Sequence, residues 1–143
     1  MGKAYANRKK EEDRPDNDFY QTPKCMTWEL LNTHLIQEQY PVTDKSQISI
    51  LEPCCGKYAI TNELIKYGYT NIVSRDLIYG NDFLKDDLIK ERYDCIIMNP
   101  PFKLFDSFVN TAKEISPYIC SIGKLNYFGS HSRNINGLWE HLE

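Results

Sequence analysis

Short apolar runs alternate along this chain with segments whose apolar positions recur every three or four residues. The short runs predict strands. They are Gln47 to Leu51, Asn71 to Ser74 closing at Asp76, Tyr93 to Met98, and Tyr118 to Leu125. The longer-period segments predict helices. The first should run from Pro23 to about Gln39, where Pro41 ends it. Its stripes are Met26 with Leu30, and Trp28 with Leu31 and Leu35. Thr22 suits its N-cap and Pro23 its first position. A second helix fits Tyr58 to Tyr67, with Ile60, Leu64 and Ile65 inward and Gly68 closing it. Phe105, Phe108, Val109, Ala112 and Ile115 make one face of a third, and Asn134 to Leu142 reads as a last helix. Asp82 to Leu84 reads as a loop near a short third strand or helix.

Strands alternating with helices imply an α/β fold, a Rossmann-like parallel sheet flanked by helices. In such sheets a ligand sits beyond the C-terminal strand ends, where the strand order switches. Glu52, Gly56, Asp76, Asp82 and Asn99 all fall at or just after such ends. Residues 1–17 are charged and poor in apolar side chains, which reads as a mobile arm before a single domain at 18–143.

The 143 residues suit one domain, and the net charge of -3 is not that of a protein holding nucleic acid by charge alone. A local basic rim can still serve a polynucleotide. The chain has no apolar stretch long enough for a membrane span and no signal-peptide pattern, which points to the cytosol. Five cysteines occur without a CxxC pair, so no metal site is expected and the thiols read as small apolar residues.

Three constellations carry chemistry. Asn99-Pro100-Pro101-Phe102 ends the apolar run at Met98 and puts an amide, a main-chain carbonyl and an aromatic face around one point. Those groups can hold a planar heterocycle by its exocyclic amine. The plain alternative is a strand stop and a turn. Glu52-Pro53-Cys54-Cys55-Gly56 follows the first strand, and Asp76 stands 20 residues after Gly56. A glycine lets backbone approach a ligand, and an acid at that spacing suits ribose hydroxyls. Asp82-Phe83 can hydrogen-bond an adenine amine and pack its ring, although Asp in such a loop is also ordinary turn chemistry.

Together these residues resemble the class I S-adenosylmethionine-dependent methyltransferases. The closer resemblance is to the DNA N6-adenine methyltransferases of phage and prophage type. The resemblance implies that Asn99, Pro100, Pro101 and Phe102 form the catalytic loop. It implies S-adenosyl-L-methionine as cofactor, held by Glu52, Pro53, Cys54, Gly56, Asp76, Asp82, Phe83 and Asn99. A Phe-x-x-Thr-Pro segment caps the cofactor in many members. Here that is Phe19 to Pro23, which adds Tyr20, Thr22 and Pro23. The implied substrate is an adenine flipped out of DNA, with Lys103 and the Asn126 to Arg133 segment, including His131, near the phosphates. Two departures stand out. Tyr58 occupies a position usually held by glycine, and the sequence ends at Glu143, before the hairpin that usually completes the sheet. The expectation is a C-terminally truncated fold whose exposed sheet edge meets a partner subunit or a second copy. An RNA or protein-glutamine methyltransferase, or a non-catalytic remnant of the fold, are the competing readings.

Overall fold

In the computed structural model, residues 20–85, 91–135 and 138 are described. Strands β1 (Ile50–Glu52), β2 (Ile72–Ser74), β3 (Cys95–Met98) and β4 (Tyr118–Ser121) form a wholly parallel sheet in the order β2-β1-β3-β4. Leu51 lies opposite Val73 on one side and Ile96 on the other, and Ile97 lies opposite Cys120. The two central strands are buried along their whole length, Glu52 at the end of β1 included. The strand expected at Gln47 to Leu51 begins only at Ile50, because Lys45–Gln47 form a 3-10 turn.

Helices cover both faces. Alternate strand residues point opposite ways. Ile50, Cys95 and Ile97 therefore pack against α1 (Lys24–Asn32), α2 (Leu35–Gln39) and α3 (Ala59–Lys66) through Leu31, Ile36, Ile60 and Leu64. Leu51, Ile96 and Met98 pack on the other side against α4 (Phe105–Ile115). All five residues read as the α4 face are buried. A short helix α5 (His131–Ile135) follows. The result is the three-layer, Rossmann-like α/β arrangement. The chain leaves β1 to one side for β2 and returns to the other side for β3, so the order switches between β1 and β3.

The structure corrects several boundaries. The long first helix is two helices, because His34 turns left-handed at φ 58°. Just before the break the Thr33 hydroxyl donates to the Leu30 carbonyl at 2.6 Å, a local bond that competes with helix continuation. The break re-aims the stripe: Thr27, Leu31 and Ile36 are buried, while Met26, Trp28 and Leu35 are exposed. Ile65 is also exposed. The last strand stops at Ser121 rather than Leu125. Its final rung is Ile122 N–H to the Met98 carbonyl. No strand lies between β2 and β3 among the described residues. The arm at 1–17, Phe19, and most of the final helix expected from Asn134 lie outside them.

The end of α3 is a Schellman closure. Tyr69 N–H donates to the Leu64 carbonyl and Gly68 N–H to the Ile65 carbonyl, with Gly68 at φ 95°. A Cβ there would meet only Lys45 Cδ at 3.7 Å, so space is not the constraint. Gly68→Ala is expected to lower stability by about 1 kcal/mol through backbone strain alone, read as a shift of the urea midpoint.

Among the described residues, no helix is long and apolar enough to cross a membrane. None of their His, Cys, Asp and Glu side chains forms a group of three or more able to hold a metal.

Candidate active site

The C-terminal ends of β1 and β3 lie side by side at the order switch, and their last side chains begin the site. Glu52 ends β1 and is 1% exposed. Its carboxylate accepts from the Thr61 backbone N–H at 3.1 Å and from the Thr61 hydroxyl. Burial outweighs those bonds, and with the nearby Asp76 charge it pushes the Glu52 carboxyl up to about 7. No ion pair reaches Glu52 or Asp76 among the described residues.

The loop after Glu52 is tied to the end of β2. Pro53 is fully buried, and burial together with the Glu52 charge pushes the Cys54 thiol up. Gly56 sits at φ 50° and donates its N–H to the Asp76 carboxylate at 2.7 Å. The other Asp76 oxygen accepts from Ile78 N–H at 3.0 Å. The Gly56–Asp76 spacing in sequence is thus a direct contact in space. Leu77 and Ile78 stand exposed beside it, an apolar surface next to a carboxylate.

Tyr58 takes φ 61° and ψ 30°, the left-handed conformation that a glycine would hold more cheaply. Its ring stacks on Tyr79 at 5.6 Å between centroids and 21° between planes. The Tyr79 hydroxyl donates to the Gly56 carbonyl at 2.9 Å. The two tyrosines therefore form a clasp across the glycine loop.

Asn99, the first residue after β3, is anchored by the N-terminal segment. Its Nδ2 donates to the Tyr20 carbonyl at 2.9 Å and to the Thr22 hydroxyl at 3.1 Å. A carbonyl can only accept, so the amide orientation is fixed. Its Oδ1 takes no hydrogen bond from the described residues. Thr22 is consequently not a helix cap. Pro23 holds the N-cap position of α1 with no side-chain cap, and the Thr22 hydroxyl serves Asn99 instead. Pro100 is buried and Pro101 holds φ -53°. The Phe102 ring, half-buried, stacks on Tyr20 at 5.8 Å and 29°, and the Lys124 ammonium lies 4.7 Å from its centroid. The Tyr127 hydroxyl donates to the Phe102 carbonyl at 3.3 Å.

Asp82 and Phe83 are placed differently from the rest. Asp82 accepts from Leu84 N–H at 3.1 Å and pairs with Lys85 at 3.5 Å, which is turn chemistry. Phe83 is 4% exposed and packs on Phe108 at 5.1 Å, so its ring belongs to the core. Arg133, read from sequence as a phosphate contact, donates to Asp106 at 2.7 Å and covers the Tyr127 ring. Lys103 and His131 are exposed. Sequence reasoning missed Thr61, Tyr79, Lys124 and Tyr127. None stands in a motif, and each reaches the site only through the packing of separate elements.

No family model matches this chain, and no curated protein matches it. The chemistry of the residues gathered at the strand ends is what bears on function.

Proposed function

We propose that the chain is an S-adenosylmethionine-dependent methyltransferase acting on the N6 amine of adenine in DNA. One observation carries the reading: Asn99 stands at the order switch with Nδ2 anchored and Oδ1 open. That oxygen and the Pro100 carbonyl are suited to accept both hydrogens of an exocyclic amine. Accepting them draws the nitrogen toward tetrahedral geometry and localises its lone pair. Pro101 keeps the loop stiff by fixing φ. The Tyr20–Phe102 pair offers an aromatic surface for the base, where stacking is worth about 1–3 kcal/mol. A base within a duplex reaches Asn99 only after flipping out, at a few kcal/mol.

The residues present fit the cofactor. Glu52 and Asp76 are two neighbouring carboxylates without a cation among the described residues, and Glu52 is costly to ionise as it stands. A cationic ligand relieves that cost. Gly56 gives close backbone approach, and Leu77 with Ile78 offers an apolar face beside Asp76. Tyr20 and Thr22 hold Asn99, Pro23 follows them at the start of α1, and Pro53 and Cys54 belong to the glycine loop. When bound, the cofactor supplies an electrophilic methyl carbon on a sulfonium. Asp82 and Phe83 contribute by holding the loop and core rather than by an open face.

A second reading, a non-catalytic remnant, draws on the Tyr58–Tyr79 clasp over the glycine loop. Calorimetric titration with S-adenosylmethionine, followed by labelled-methyl transfer to DNA, RNA and protein in parallel, separates the two. Cofactor binding with label in DNA supports the enzyme. Normal cofactor binding with no label in any acceptor sinks it, and no heat at all favours the remnant. The clasp itself makes a prediction. It is held by one hydrogen bond and one ring stack. Tyr58→Gly releases the stack and keeps the backbone relaxed. The Tyr79 to Gly56 hydrogen bond remains, so the stack alone, about 0.5–1.5 kcal/mol, sets the expected gain in cofactor affinity at about threefold in the same titration.

A further inference from the structure

A concavity of about 370 Å³ opens between the start of α1 and the outer face of α3. Lys24 enters it from α1, Lys57 from the glycine loop and Lys66 from the end of α3. Gln21 and Asn62 add amide side chains, and Glu63 adds a carboxylate.

The charges do not cancel. The Glu63 side chain is 1% exposed and fully engaged: Lys66 donates to one oxygen at 2.8 Å and the Trp28 indole to the other at 2.6 Å. Those bonds, with smaller contributions from the Lys66 and Lys24 charges, hold its carboxyl below the usual range, so it stays ionised with Lys66 as its direct partner. Lys24 and Lys57 are exposed and pair with no acid among the described residues. The chain as a whole carries a net charge of -3, so acids are not scarce. Three lysines against one carboxylate leave the concavity with a net positive charge, which an anion there offsets.

Position gives the pocket a use. Thr22 lines it, and the same Thr22 hydroxyl accepts from Asn99. A group bound there sits one side chain away from the open amide oxygen. Lysine serves as a point charge for phosphate and needs no fixed fork. The neighbouring amides supply N–H donors that reach the same ligand.

We propose that this pocket binds a phosphate group. Resting on the methyl-transfer reading above, that phosphate belongs to the polynucleotide that delivers the target base to Asn99. The phosphate site itself needs neither cofactor nor transfer, so the two ideas fail separately.

The test uses the full chain, inorganic phosphate and a fluorescently labelled single-stranded oligonucleotide. Inorganic phosphate is expected to shift the amide NMR resonances of Gln21, Lys24, Lys57 and Asn62. The double variant Lys24→Ala/Lys57→Ala, which leaves the Lys66–Glu63 pair alone, is expected to abolish those shifts while keeping the wild-type circular dichroism spectrum. Its oligonucleotide Kd should rise about tenfold, and the slope of log K against log salt should fall by roughly 1.4, about 0.7 for each lost contact. Phosphate shifts that spare these residues overturn the site. Phosphate shifts lost in the double variant with an unchanged oligonucleotide Kd and salt slope leave a free-phosphate site and overturn the polynucleotide assignment.

Discussion

On the proposed methyl-transfer function, Asn99→Ala is expected to lower the rate of transfer by about 100-fold, with most of the loss in kcat. The reason is where the interaction strengthens. A hydrogen bond from the amine to Oδ1 gains most as the nitrogen leaves planarity, and such transition-state bonds are lost from kcat rather than from KM. Removing one pre-organised partner of this kind costs about 2.7–4 kcal/mol, so 100-fold is the low end. Alanine also frees the Tyr20 carbonyl and the Thr22 hydroxyl, at about 1 kcal/mol for each lost bond. A fall in activity could therefore reflect a loosened segment. Asn99→Asp separates the effects. It keeps the size and an accepting oxygen but replaces the Nδ2 donor with an oxygen that faces the Tyr20 carbonyl. The aspartate variant should lose as much thermal stability as alanine, yet retain transfer within about tenfold of the parent. If Asn99→Ala transfers label at the wild-type rate, this loop is not the acceptor site.

The contrast between fold and site shows what a single sequence carries. The five-residue face of α4 was legible because a helix packed on a sheet repeats its contacts every turn, and all five residues are buried. Strand β3 was legible because full burial on both faces leaves an unbroken apolar run, whereas β1 reads too early, at Gln47 to Leu51, because its last residue is the buried Glu52. The break at His34 was not, since Leu35 and Ile36 are equally apolar and only the left-handed turn decides which faces inward. The site divides the same way. Gly56 and Asp76 were found by their spacing, and they meet at 2.7 Å. Thr22 reads in sequence both as a helix cap and as part of the Phe19 to Pro23 segment; the cap reading fails because Asn99 takes its hydroxyl from 77 positions away. Phe83 followed the motif into the core. Tyr79 could not be found, because its bond to Gly56 exists only once β2 and the glycine loop are side by side.

Glu52 sets the largest expected effect on stability, and its sign depends on pH. Its folded carboxyl is raised from 4.5 to about 7, mainly by burial. Between those values the folded chain holds a proton that the unfolded chain has released. Stability from this group is therefore complete below about pH 4.5, declines as pH rises toward 7, and stays lost above it. The shift corresponds to about 3 kcal/mol, and local relaxation trims it to about 2–3 kcal/mol. Glu52→Gln keeps the acceptor for Thr61 but removes the charge. The variant should exceed the parent by about 2–3 kcal/mol at pH 8 in urea denaturation, and the two should converge near pH 4. Other acids titrate in the same window, so the difference between the two proteins is the measurement. The proposed function adds an opposite effect on binding. A cationic cofactor needs the ionised carboxylate, so wild-type affinity should rise through pH 7 with release of a proton, while the glutamine variant binds more weakly and with a flatter pH profile. Gain of stability together with loss of affinity is what a carboxylate kept for its ligand produces. A glutamine variant that is no more stable at pH 8 would show that Glu52 is not held above its ordinary value. One that gains stability yet binds the cofactor as tightly as the parent would remove Glu52 from the site.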